Sequence, residues 1–253
     1  MKSVKYLTYL SLLVMPLAIS QTTREKGSYL RQAAISETGG TIHIVANSPR
    51  PLAQTLDALQ QKYGWVVDYE DPQFISKLDL VEAEGPGNRV PGGGRFNSEF
   101  PASDSEEEKI LQIVVDSYNR SNNPGRFELR RSTLGSTFFV VGVEAHDGGG
   151  QVSHQRVLLD VPITLATRQR TVSDVVNLIC RKIFVQRRIT VKVGVAPRSV
   201  LDHTNVTVGG TKVTARDLLL QTLTSTHRNF YWRLLFDPNS KAYFLDIHLI
   251  RTS

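Results

Sequence analysis

The alternation of apolar and polar positions divides this chain into short elements separated by glycine- and proline-rich turns. Thr41-Ile-His-Ile-Val45 alternates and is β-branched, which predicts a strand. Beyond the turn Asn47-Ser-Pro-Arg-Pro51, the residues Leu52, Leu56, Leu59 and Tyr63 recur at spacings of four, three and four, the signature of a helix with one buried face. Pro51 suits the first helical turn, where its missing N–H is no loss. Gly64 suits the left-handed stop, and Trp65 to Tyr69 reads as the strand that follows. A glycine- and proline-rich insertion occupies 85–94, and Arg95 to Phe100 reads as a short strand after it. A second helix starts near Asp104, with Ser103/Glu106 and Ser105/Glu108 as alternative capping boxes and Ile110, Leu111, Val114 and Tyr118 as its buried face. Phe127 to Arg131 and Thr137 to Val143 then form a hairpin about Leu134-Gly-Ser.

After a polar stretch, the same order returns. Val157 to Ala166 reads as a strand, and Thr171 to Asp174 as a cap. Val172, Val175, Val176, Ile179, Cys180 and Ile183 form the cleanest helical stripe in the chain. Arg188 to Val195 and Val206 to Val208 read as strands, the latter turned by Gly209-Gly210. Thr214 opens a helix with Leu218, Leu219 and Leu223 inward, and Phe230 to Phe236 pairs with Ala242 to Ile250 across Asp237-Pro-Asn-Ser240. The fold class predicted is α+β: two tandem βαββαββ modules, each with helices packed against small sheets. They span 41–144 and 157–253, with polar linkers at 21–40 and 145–156.

The first residues add a location. Lys2 and Lys5 precede an apolar run from Tyr6 to Ile19, with Ala18 and Ser20 before a cut. That is the pattern of a secretory signal peptide over residues 1–20. The run falls short of the roughly 20 residues that span a bilayer, and no later stretch comes close, so no transmembrane segment is expected in the mature chain. The mature protein is therefore expected in the periplasm or outside the cell. The formal charge is 30 − 24 = +6, or +4 without the two lysines of residues 1–20. This excess is spread along the chain rather than gathered on a basic face, which argues against a nucleic-acid partner. The single cysteine, Cys180, rules out an internal disulfide, and its place on the helical stripe makes it a core residue.

These residues also carry a resemblance. A strand, Pro51-Leu52 opening a helix with Leu56 and Leu59, then Tyr63-Gly64 and Val66-Val67-Asp-Tyr69, resembles the short N-terminal domain of secretins and TonB-dependent receptors. Val206-Thr-Val-Gly-Gly210, Thr214 through Leu223, and Phe230-Tyr-Trp-Arg233 resemble that domain's second helix and closing strands. The chain has no barrel or secretin segment after them, and each unit is longer than that family's domain. The resemblance implies an envelope location and protein–protein work, with two small sheets flanking the helices. It does not imply a pore.

Chemistry is hard to find. No two of the histidines, His43, His146, His154, His203, His227 and His248, have the spacing of a metal face. His146-Asp147 and Asp202-His203 are sequence neighbours, which seldom face one another. No serine sits in a Gly-x-Ser-x-Gly elbow, and the 85–94 glycines lack the strand, helix and lysine of a phosphate loop. No catalytic residue, metal ligand or cofactor is expected. The expected function is a non-catalytic, exported protein-interaction module of the bacterial cell envelope with an envelope protein as partner, joined by side-chain patches or by strand addition at the last strand, Tyr243 to Ile250. The alternative is a glycan- or peptidoglycan-binding protein that uses surface arginines and the late aromatics, with Trp232 and Tyr243 as the candidate binding residues.

Overall fold

Short amphipathic helices gain most of their stability from what they cover, and this order of elements gives each pair of helices a sheet on either side. The computed structural model describes residues 33–83, 85 and 87–250; the signal-peptide expectation and most of the 21–40 linker lie outside them. In chain order the first half holds β1 (Ala34–Thr38), β2 (Thr41–Asn47), α1 (Pro51–Tyr63), β3 (Val67–Glu70), β4 (Leu80–Glu82), β5 (Arg89–Pro91), β6 (Arg95–Pro101), α2 (Glu107–Asn119), β7 (Arg126–Arg131), β8 (Phe138–His146) and β9 (Val152–His154). The second holds β10 (Pro162–Thr171), α3 (Val172–Arg187), β11 (Val191–Val193), α4 (Arg198–Leu201), β12 (Asn205–Thr214), α5 (Ala215–Thr224), β13 (Phe230–Asp237) and β14 (Ala242–Leu249). The fold is α+β, and no helix among the described residues is long and apolar enough to cross a membrane.

The pairing has a regular plan. In the first half β2 pairs antiparallel with β6, β3 runs parallel to β8, and β7 is antiparallel to β8. In the second half β10 pairs antiparallel with β12, β11 runs parallel to β14, and β13 is antiparallel to β14. Each half therefore sets two helices between a small sheet and a three-strand unit. The two units join where β13 runs parallel to β3, giving one sheet in the order β11-β14-β13-β3-β8-β7. One buried core runs through both halves.

Most of the elements form where the pattern places them. Gly64 closes α1 at φ 74°, and the hydroxyls of Thr171 and Thr214 accept the Asp174 and Asp217 N–H groups as caps of α3 and α5.

Several expectations are corrected. The 21–40 stretch contains a strand, β1, which turns at Gly39-Gly40 onto β2. Residues 145–156 are not a free linker: β8 runs on to His146, and β9 folds back on it. Part of the 85–94 insertion is ordered as β5, paired with β4. No serine side chain caps α2, whose N-cap is Glu106. Gly209-Gly210 does not turn the chain but lies within β12. The last strand, β14, is interior rather than an edge, because β11 and β13 flank it.

Candidate interaction site

The densest group of titratable side chains is on β3 and just after it, where Asp68, Glu70 and Asp71 are all buried. Each meets groups from the far half of the chain. Asp68 Oδ1 accepts the Trp232 N–H at 2.8 Å. Glu70 Oε1 accepts the Leu158 N–H at 2.6 Å, and its Oε2 accepts Arg216 Nη2 at 2.6 Å. Asp71 accepts the Tyr69 hydroxyl at 2.7 Å, Arg50 Nε at 2.6 Å and the Phe236 N–H at 2.9 Å. Nearby, Arg233 gives Nη2 to Asp57 at 2.6 Å and Nη1 to the Val67 carbonyl at 2.6 Å. Burial pushes the Asp68 carboxyl up to about 8 against the pull of the Trp232 N–H and of Arg233 and Arg216. Burial likewise raises Glu70, with Arg216 opposing. These acids form a closed seam between the halves, each accepting from at least one protein donor, and all three are buried, so the seam offers no open face for a substrate.

The residues singled out by sequence are dispersed. Trp232 and Tyr243 are 1% and 3% exposed. Trp232 packs on Phe139, Tyr243 packs on Phe236, and the Tyr243 hydroxyl donates to the Asp71 carbonyl. Both are core residues, so neither presents a ring to a sugar. Alternation along the strand identified them as aromatic but left open which face was covered. His146 does not face Asp147; its Nδ1 lies 2.6 Å from Asp79 Oδ1. His203 Nδ1 meets the Ser199 carbonyl instead of Asp202. Cys180 is buried, and burial pushes its thiol up to about 12. Among the described residues no cluster of three or more histidine, cysteine or acidic side chains could hold a metal.

An open arrangement occurs instead at the end of β10. The register jumps from Leu165↔Gly210 to Arg168↔Val208, so β10 carries one residue more than its partner: a β-bulge. The sequence allows the bulge at Gly209, where a Cβ would lie 2.5 Å from the Thr167 nitrogen and 2.6 Å from the Leu165 carbonyl oxygen. The bulge has a chemical consequence. Without it, Thr167 and Gln169 would share the inward face with Ile163 and Leu165. With it, Arg168 and Arg170 take that face, opposite the buried Val208 and Val206.

There they meet the exposed flank of α3. Arg168, Gln169, Arg170 and Arg181, with Asp174, Asn177 and Leu178, line an open cleft of about 490 Å³. Three guanidiniums face one carboxylate. Arg170 is the most enclosed, at 9% exposed, covered by its neighbours at the rim of the molecule. Its Nη1 reaches only the Arg168 and Val208 carbonyls, at 3.4 and 3.5 Å, and its Nε has no partner among the described residues. Guanidinium donors enclosed without good acceptors are costly, and an anion relieves that cost.

The backbone beside the cleft is also open. β10 pairs with β12 on one side and, among the described residues, with no strand on the other. Ala166 to Gln169 are exposed in succession. In the first half β2, which stands in the place of β10, has its outer edge covered by β1. A second concavity, of about 460 Å³, lies between Arg89, Pro91, Val195, Phe236 and Phe244. Of its charged groups, Arg50 is engaged with Asp71, and Asp246 with the Val195 N–H at 2.7 Å.

Reading the sequence missed the cleft because its arginines looked scattered. A signal was present: Arg168 and Arg170 are two apart at a strand end, and Asp174, Asn177 and Arg181 share the side of α3 away from its apolar stripe. Comparisons with protein-family models, with curated proteins and with solved structures find no match to this chain.

Proposed function

We propose that this chain is a non-catalytic, exported interaction module of the bacterial cell envelope, built from two diverged copies of a domain like the short N-terminal domain of secretins and TonB-dependent receptors. It holds its partner as a strand added to the outer edge of β10. The observation that carries this reading is internal. β2 and β10 occupy the same place in the order and pairing of the two halves, yet β1 covers the edge of β2 while that of β10 is open. An open edge offers unpaired N–H and C=O groups that an extended segment can complete.

The alternative of a glycan platform loses its stacking residues, since Trp232 and Tyr243 are core. The buried acids of β3 serve the seam and add no chemistry of their own.

The test is site-specific photocrosslinking in cells. A benzophenone amino acid at Gln169, on the open edge, is expected to yield one discrete protein adduct. The same group at Leu134, on the exposed β7–β8 turn, is expected to yield none. Equal labelling from both positions, or none from Gln169, would rule the edge out.

A further inference from the structure

The cleft beside β10 indicates what kind of segment the edge receives; this step rests on the reading of β10 as the receiving edge. Where β1 lies on β2, the inward face is apolar: Ile35 of β1 sits opposite the buried Ile44 and packs against the core. At β10 the bulge replaces that apolar face with Arg168 and Arg170, and α3 adds Arg181. A strand laid on β10 turns every second side chain toward this face. Apolar side chains there would leave the enclosed Arg170 donors without acceptors. Carboxylates would supply them.

We propose that β10 binds an acidic extended segment, whose alternate aspartate or glutamate side chains enter the cleft of Arg168, Arg170 and Arg181. The backbone gives the strand its place, and the arginines select its charge. A guanidinium donates to a carboxylate in a planar, two-point pair, which suits short acidic side chains reaching in from a strand. Asp174, on the α3 side, sets a limit on how many acids the cleft takes.

The test uses the full mature chain and fluorescein-labelled synthetic peptides that alternate valine with glutamate, glutamine or lysine. A fourth peptide repeats the glutamate series with alternate backbone N-methyl groups. Binding is read by anisotropy, and its place by slowed amide exchange at Ala166 to Gln169. The glutamate peptide is expected to bind about tenfold tighter than the glutamine peptide, the worth of one charge-assisted pair. The lysine and N-methylated peptides are expected to bind least. Arg170→Gln is expected to erase the preference for glutamate. Arg181→Gln, at an exposed position where folding is not at stake, is expected to reduce it.

Equal affinity for glutamate and glutamine peptides, with exchange slowed at β10, would overturn the acidic segment and leave strand addition standing. Undiminished binding of the N-methylated glutamate peptide would overturn strand addition. Protection of β10 by none of the peptides would overturn both. Displacement of the glutamate peptide by inorganic phosphate at equal concentration would reassign the cleft to phosphate and overturn the proposal.

Discussion

Asp68 accepts the Trp232 N–H through one carboxyl oxygen, while Oδ2 is buried with no partner among the described residues. Burial raises its proton affinity to about 8, far above the unfolded carboxylate range. The folded protein therefore holds a proton that the unfolded chain has released. Stability is unaffected by this group below about pH 4, falls as pH rises by up to about 1.4 kcal/mol per unit, and levels off above the folded value. Asp68→Asn keeps the acceptor for Trp232 and removes the proton, so urea unfolding between pH 5 and 9 is expected to show a shallower fall than in the wild type. A variant with the same slope would mean that Asp68 is ionised at its site. Glu70 gives a sharper contrast. Arg216→Met strands its buried carboxylate and is expected to cost about 3–5 kcal/mol. Adding Glu70→Gln is expected to recover most of that, because the amide oxygen still accepts the Leu158 and Leu159 N–H groups. Neither effect was legible in the sequence. A carboxylate on a strand looks like a solvated residue, and its arginine stands 146 residues away.

The helices were the most legible elements, since a stripe and a cap are local facts. Thr171 and Thr214 each cap a helix with a side-chain hydroxyl, whereas no side chain caps α2. Thr171→Ala and Thr214→Ala are each expected to cost about 1 kcal/mol, and Ser105→Ala close to nothing, by chemical denaturation. The strands were legible as strands, but not always by face. Alternation gives a phase, and one inserted residue reverses it. Thr167 and Gln169 would have faced inward on β10; the bulge at Gly209 exchanged them for two arginines. That bulge closes against backbone atoms, which cannot swing aside as a side chain can. Gly209→Ala is therefore expected to lower the melting temperature and to loosen amide exchange along β10, whereas alanine at Gly94, where a Cβ meets nothing, is expected to do neither. Edge or interior is likewise not a local fact: the sequence leaves both open for β14, and β11, pairing with it from Val191 to Tyr243 onward, makes it interior.

At the scale of the molecule, the seam decides whether the halves are separate. Three acids on one side and arginines on the other are enclosed only when β3 and β13 are paired. Separating them would strip Asp68 and Glu70 of their partners, leave Asp71 with Tyr69 and Arg50 alone, and expose the sheet. The chain is therefore expected to unfold as one unit: the amides of the fully buried Val140 and Val141 of β8 should share a single opening free energy with those of Leu245 and Ile247 of β14. Two distinct values would show that each half stands alone. The join between β3 and β13 also bears on the order of events during folding. Each half can assemble from contacts close in sequence, but Trp232 must find Asp68 across 164 residues, so this pairing carries the largest cost of loop closure. The N-terminal half thus waits with an acidic strand uncovered until the C-terminal half arrives with its arginines. Opposite charge draws the two together, and added salt should slow that last step of refolding while leaving the formation of α1 and α3 unchanged. That interval is the chain's period of greatest exposure to proteases, with the uncovered strand β3 as the place where a nick would fall.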